Sequence, residues 1–89
     1  MPQGILPIAD QIRARLAGLA PERLEIIDES SRHAGHSEDA RRGESHFRIR
    51  LAAPGLAGQS RLARHRAVLA ALGPEITTRV HALAIEFLD

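Results

Sequence analysis

The 89-residue chain contains no cysteine, no tyrosine and no tryptophan, and only two phenylalanines. Without cysteine there is no disulfide, no thiolate metal site and no thiol nucleophile. Every basic residue is arginine, and the twelve arginines against eleven acids give a formal charge of +1. That balance predicts no general attraction to nucleic acid or to anionic membranes.

The chain also lacks long apolar runs. No run approaches the roughly 20 residues that a membrane-spanning helix requires. Residues 1–18 contain an acid and have no apolar core of the kind found in signal peptides, so they are expected to be part of the fold. We therefore expect a cytoplasmic protein without a membrane partner, formed as a single domain over residues 1–89.

Apolar periodicity predicts two helices. Between residues 5 and 19, apolar side chains recur every three or four positions and share one helical face. A second helix is expected after Ser60, a suitable N-cap residue, and it should break at Gly73 and Pro74. Its predicted apolar stripe consists of Leu62, Val68, Leu69, Leu72 and Ile76, with His65 in the middle and Arg64 on the opposite side.

Three segments have the pattern of strands. Residues 23–30 are rich in isoleucine, and residues 45–52 alternate apolar and polar side chains, so the two are expected to pair as an antiparallel hairpin across the loop 31–44. Residues 79–88 are apolar on both faces, which favours a central strand. The predicted fold class is α/β (α+β): helix, strand, strand, helix, strand, with a three-stranded mixed sheet packed against helices.

The hairpin pairing also predicts ion pairs. Glu25 and Glu29 on the first strand should face Arg48 and Arg50 on the second, and each cross-strand pair would contribute roughly 0.2–1 kcal/mol. The arginines of the second strand are then expected to neutralise acids, and they need not form a nucleic-acid patch.

Motifs for catalysis are missing. The chain has no nucleophile elbow, no zinc-protease helix, no P-loop and no dinucleotide fingerprint. Ser45 and His46 are adjacent on a predicted strand and therefore point to opposite faces of the sheet. We expect a protein that is not an enzyme.

Residues 55–58, Gly-Leu-Ala-Gly, match the GXXG pattern with which KH domains clamp single-stranded nucleic acid. No basic residue lies inside this segment. The favoured interpretation is a turn between a strand and a helix, in which the two glycines permit the backbone angles of the turn.

Histidine is the remaining residue type with ligand chemistry, and five are present. His33 and His36 form an H-x-x-H pair in the long loop, but two imidazoles are an incomplete metal site. His46, His65 and His81 are each expected, by default, to be structural residues with hydrogen-bond partners. A complete site would need ligands from elsewhere in the chain or from a partner.

Four segments taken together resemble the BolA family: "LEIIDES" at 24–30, "ESHFRIRL" at 44–51, "RHRAVLAAL" at 64–72 and "VHALAIEF" at 80–87. The resemblance covers about residues 5–87, and the order of elements agrees. It implies a class II KH-like fold. It also implies partnership with a monothiol glutaredoxin in the handling of iron–sulfur clusters.

For the ligands, the resemblance implies a [2Fe–2S] cluster shared with the glutaredoxin, which contributes its own cysteine and bound glutathione. His81 matches the family's ligand near the last strand, and His33 is the best match for the loop ligand. His36 is the other candidate, because this loop is longer than in many relatives. Alone, the chain is expected to be a monomer without a cluster.

Two other functions stay open. Some members of the family are DNA-binding transcription regulators of stress response and cell morphology, and a regulator that uses the same fold is the alternative to the cluster adaptor. A structural interaction domain without any metal is the third possibility.

Overall fold

The computed structural model describes residues 6–30 and 46–89. The elements follow the predicted order, including a short helix that restarts after the predicted break at Gly73 and Pro74. They are α1 (Ile8–Leu16), β1 (Arg23–Asp28), β2 (His46–Ala52), α2 (Arg61–Leu72), α3 (Pro74–Thr77) and β3 (Ala82–Phe87), with 3-10 turns at Ala17–Leu19 and Pro54–Leu56. None of these helices is long and apolar enough to cross a bilayer.

The sheet has β2 in its centre, antiparallel to β1 and parallel to β3. The prediction that β3 is the central strand is therefore wrong. The hairpin places β1 on one side of β2, and the helical crossover returns the chain in parallel to the side that remains. The residues that made the second face of β3 look apolar are alanines, Ala82 and Ala84, and side chains this small do not require a covering layer.

One face of the sheet carries the core. Phe47, Ile49 and Leu51 alternate along β2 and are at most 2% exposed, as the period-two pattern predicts. They pack with α1 residues Ile8, Ile12 and Leu16, and with Val68, Leu72 and Ile76 of α2 and α3. Full burial of one such side chain contributes about 1.5–3 kcal/mol. The core thus holds α1 and α2 against a single face. No helix of residues 6–30 and 46–89 covers the other face, the open face of the sheet.

The ends of α2 are set by two residues. Ser60 is the N-cap, and its Oγ accepts a hydrogen bond of 3.0 Å from the backbone N–H of Ala63, which confirms the predicted cap. Gly73 ends the helix with φ +80° and ψ 163°, a conformation open essentially to glycine alone. Pro74 then starts α3, where its missing N–H is no loss.

The orientation of α2 differs from the prediction in its first half. Its buried line runs from Leu72 through Val68 to Arg64, because residues four apart share a helical face. Arg64 therefore packs against the sheet, with its side chain only 18% exposed. Leu62 is 57% exposed, and His65 is half-buried and not part of the core.

Candidate functional site: the histidine pair at the start of β2 and β3

Two histidines meet at one end of the sheet. The ring centroids of His46 and His81 lie 5.1 Å apart, and the ring planes are inclined by 50°. His46 is half-buried and His81 is exposed. The pair thus presents two imidazoles together at a surface that a partner can reach.

The parallel pairing of β2 with β3 brings the two rings together. His46 is the first residue of β2 and lies opposite Ala82, the first residue of β3, so His81 directly precedes the paired register. Parallel strands begin at the same end of a sheet. The backbone ladder therefore fixes the start of both strands and keeps the two histidines adjacent.

In addition to the strand pairing, hydrogen bonds at the base of the β1–β2 connection fix the backbone of His46. The backbone N–H of His46 donates to Ser30 Oγ at 3.1 Å, and its carbonyl accepts from the backbone N–H of Glu29 at 2.7 Å. Ser30 is 2% exposed, and its own N–H donates to Asp28 Oδ1 at 2.9 Å. These bonds link Glu29 and Ser30, which follow β1, to His46, the first residue of β2. They therefore close the β1–β2 connection at its base.

Of the three predicted site residues, the structure describes only His81. His81 lies at the start of β3, where the sequence places it, while His33 and His36 lie outside the described residues. His46 was expected to be structural, and its position beside His81 was missed. The signal that could have revealed it is the β2–β3 register, which a prediction of a mixed sheet does not supply.

The chemistry of the pair is that of a partial metal site. Imidazole is a ligand for iron, zinc and copper, but two imidazoles do not complete a coordination shell. Within residues 6–30 and 46–89, no group of three or more histidine, aspartate or glutamate side chains is placed to hold a metal ion. Completing a coordination shell around this pair would take ligands from outside the described residues or from a partner.

The open face of the sheet carries an ion-pair ladder of Glu25, Arg50, Glu86, Arg48 and Glu29. Arg50 Nη1 lies 3.0 Å from Glu25, and Arg48 Nε lies 3.0 Å from Glu29, which confirms both predicted cross-strand pairs. Glu86 of β3, which the prediction left out, lies 3.3 Å from Arg48 and 3.5 Å from Arg50. The hydrogen bond to Glu29 raises the pKa of Arg48 above its ordinary value. Both arginines of β2 are thus neutralised by acids.

The Gly55–Gly58 segment is a turn between β2 and α2, as the favoured interpretation predicts. Leu56, inside the motif, is 8% exposed and belongs to the core. Gly58 has φ +92°, a value that glycine tolerates without strain. The segment contains no basic residue, so its geometry is explained by the chain's need to turn from a strand into a helix.

Comparison with known proteins relates most of the chain to one family. The BolA family, described as BolA-like protein, matches residues 16–88. BolA-like protein 1 of Mus musculus is 42% identical over 81 residues, which cover 90% of this chain and 56% of that protein. The DNA-binding transcriptional regulator BolA of Escherichia coli (strain K12) is 39% identical over 82 residues, or 88% of this chain and 71% of that protein. The chain thus spans little more than half the length of the mouse relative.

A solved structure agrees with the fold. The BolA domain of SufE1 from Arabidopsis thaliana superposes with a TM-score of 0.76 at 34% sequence identity, covering 94% of this chain and 93% of that one. The agreement extends over both layers of the fold, the helices and the mixed sheet.

Proposed function

Because the chain belongs to the BolA family, we propose that it is an adaptor, not an enzyme, that binds a monothiol glutaredoxin and shares a [2Fe–2S] cluster with it. The family resemblance of the four sequence segments supplies the identity of the partner and of the cluster. The observation in the structure that supports this function is the adjacency of His46 and His81. Localisation to the cytoplasm and a monomeric state in isolation are parts of the same proposal.

The donor set fits a shared cluster. The chain has no cysteine, so it offers imidazoles and no thiolate. In Rieske-type clusters two histidines hold one iron and thiolates hold the other. A glutaredoxin that contributes its cysteine and bound glutathione would supply the thiolate half, and this chain would supply the imidazole half.

The candidates for the proposed ligands rest on two arguments, the family resemblance and the geometry of the described residues. His81 is the principal ligand, because it is exposed and directly precedes a paired strand. The second ligand is His33 by family resemblance, with His36 as the other loop candidate. His46 is a third candidate on geometry, since its ring is already beside that of His81.

A titration of histidine variants with cluster-loaded glutaredoxin tests the proposal, followed by circular dichroism in the visible range. His81→Ala should alter the spectrum and make the cluster labile. His33→Ala should do so more weakly, because a neighbouring imidazole or water can substitute. His65→Ala is the matched control, since His65 is a half-buried histidine on α2, away from the pair. A His81→Ala spectrum identical to that of the wild type would remove His81 from the site.

The same series separates the candidates for the second ligand. Whichever of His33→Ala, His36→Ala and His46→Ala most resembles His81→Ala in the visible spectrum identifies the partner ligand. In the absence of glutaredoxin, anaerobic reconstitution followed by desalting should leave no cluster on the protein. A stoichiometric cluster retained by the isolated chain would contradict a shared site.

The alternative function is DNA binding, and it is favoured by the name of the Escherichia coli relative, a DNA-binding transcriptional regulator. The ladder weighs against it for the open face, because Arg48 and Arg50 already pair with acids. Fluorescence anisotropy with a labelled duplex, repeated over a range of salt concentrations, distinguishes the two functions. A DNA regulator should bind with an affinity that falls steeply with salt, whereas the adaptor should show no saturable binding.

A further inference from the structure

β3 is an edge strand of the sheet. Within the part of the chain that the structure describes, it pairs with β2 and with no other strand. In a strand, the N–H and C=O of one residue point to the same edge, and successive residues point to opposite edges. The N–H of Leu88 donates to the Leu51 carbonyl at 2.8 Å, so the residues at even positions of β3 face β2. The backbone groups of Leu83, Ile85 and Phe87 therefore point outward, to what we call the outer edge of β3, and none of the described residues pairs with them.

The side chains of the same three residues are incompletely covered. Leu83, Ile85 and Phe87 lie on the core face and pack against the core, yet each is half-buried. The β2 residues opposite them in the register are at most 2% exposed. The apolar layer of the sheet therefore ends at β3 with an exposed flank. One more strand with apolar side chains on this face would continue the layer and remove that flank from water.

The two edges of the sheet differ in charge. Proteins keep an edge strand unpaired with charged side chains or proline, since exposed backbone groups otherwise recruit another chain. β1, at the other edge, has three charged residues among its six, Arg23, Glu25 and Asp28. β3 also has six residues, without proline, and Glu86 is its single charge. The outer edge of β3 therefore lacks most of the features that keep an edge unpaired.

We propose that an extended segment of a partner protein binds the outer edge of β3 and becomes the fourth strand of the sheet. The outward backbone groups identify this class of ligand, because an extended chain offers matching N–H and C=O groups, whereas a helix has already paired its own. The side chains on the core face of the segment would be apolar, to contact Leu83, Ile85 and Phe87. This binding requires neither metal nor glutaredoxin, and it is independent of the function proposed above.

Glu86 distinguishes a partner protein from a second copy of this chain. Its side chain is 46% exposed, and both arginines that pair with it, Arg48 and Arg50, lie on β2. A lysine or arginine on the added strand would contact the other flank of Glu86, as cross-strand pairs of opposite charge do. β3 of a second copy has no basic residue and would place alanine or a second glutamate there. The charge therefore favours a partner segment that carries a basic residue among its polar positions.

The experiment is an NMR titration of the full chain, without glutaredoxin or metal. The probe is a capped hexapeptide in which three valines alternate with threonine, lysine and threonine. We expect saturable shifts of the backbone amide signals of Leu83, Ile85 and Phe87, and slower hydrogen exchange at the same amides. Replacing the lysine of the peptide with glutamate should weaken binding at least about threefold, because it places a second acid beside Glu86.

Two N-methylated peptides are the matched controls for strand addition. One is methylated on the three valines and the other on the three polar residues, so both keep all the side chains. Only one of these sets of N–H groups can face β3: the valine set if the strands are antiparallel, and the polar set if they are parallel. We expect one methylated peptide to bind at least about tenfold more weakly, since it loses its hydrogen bonds to β3, while the other keeps most of its affinity.

Leu83→Thr should weaken binding of the peptide at least about threefold, because it removes an apolar contact on the core face. Leu24→Thr is the matched variant, since Leu24 is a half-buried leucine on the same face at the opposite edge. Absence of saturable shifts, equal loss with both methylated peptides, or equal weakening by both variants would each overturn the proposal. So would amide shifts that grow with protein concentration in the absence of peptide, because they would identify a second copy as the occupant. None of these outcomes bears on the shared cluster.

Discussion

Arg48 of β2 donates from Nε to Glu29 Oε2 at 3.0 Å, just beyond the end of β1. The Glu29 side chain is 14% exposed, whereas that of Glu25, at the other end of the ladder, is 40% exposed. Ion pairs gain strength as water is excluded from them. We therefore expect the pair at Glu29 to be the stronger of the two, although both pairs measure 3.0 Å.

Glu29→Gln should lower the melting temperature more than Glu25→Gln. The first change removes an acid that is largely shielded from water, whereas the second removes a pair that water already screens. Thermal unfolding of both variants, in low and in high salt, measures the difference. Equal melting temperatures for the two variants would show that burial of the acid does not change the strength of the ion pairs in the ladder.

Ser60→Ala should destabilise the protein by about 0.5–2 kcal/mol, because the Ala63 N–H loses its acceptor at the start of α2. Urea unfolding gives the free energy. Ser60→Asp should restore most of the loss, since aspartate also caps helices. A Ser60→Ala variant as stable as the wild type would mean that water replaces the cap.

Gly73→Ala should cost about 1–3 kcal/mol, because φ +80° with ψ 163° is strained for any residue with a Cβ. A Cβ there would lie 3.2 Å from Arg15 Nη1, the end of a flexible side chain that can move aside. The strain is thus in the backbone. Gly55→Ala is the control: it has open space and no left-handed φ, so we expect no loss of stability, or a gain of about 0.4–1 kcal/mol.

His65→Ala should change stability by less than about 1 kcal/mol, because the ring is half-buried and has no hydrogen bond within the described residues. This expectation replaces the larger loss that a core position would have predicted. Leu72→Ala, one fully buried position on the same helix, should cost about 2–5 kcal/mol. If the two variants lose similar stability, then His65 contributes to the core after all.

Ala57→Asp should leave nucleic-acid binding unchanged, since we assign the Gly55–Gly58 segment to a turn. Ala57 is exposed, so the substitution tests the loop without disturbing the core. Leu56 is unsuitable, because an aspartate there would be buried. A gel-shift assay with single-stranded RNA gives the answer: binding by the wild type that Ala57→Asp abolishes would indicate a KH-type clamp.

The sequence predicted the parts of this fold that depend on local pattern. Alternation along residues 46–52 gave the buried face of β2 and the two cross-strand ion pairs, because side-chain direction in a strand follows the residue count. The cap at Ser60 and the break at Gly73 likewise depend on single residues with specific backbone preferences.

What the sequence did not predict depends on contacts between distant segments. The edge position of β3 follows from which side of β2 the hairpin leaves free, and alanines on its second face imitate the pattern of a buried strand. The prediction places Arg64 on the wrong side of α2, because its apolar stripe includes Leu62, which is 57% exposed in the structure. In the structure, its guanidinium lies on the Phe87 ring. The adjacency of His46 and His81 required the register of the two parallel strands.

The hydrogen bonds that join Ser30 and Glu29 to His46 also make the register of β1 and β2 independent of the length of the connection between them. Since pairing is fixed at these residues, inserting or deleting residues between them leaves the strand register unchanged. Doubling the length of such a connection adds only about 0.6 kcal/mol of closure entropy. The number of residues between His33 or His36 and the strand histidines can therefore be changed without a change in strand register, and ligands of a different chemistry can be grafted into this connection in the laboratory.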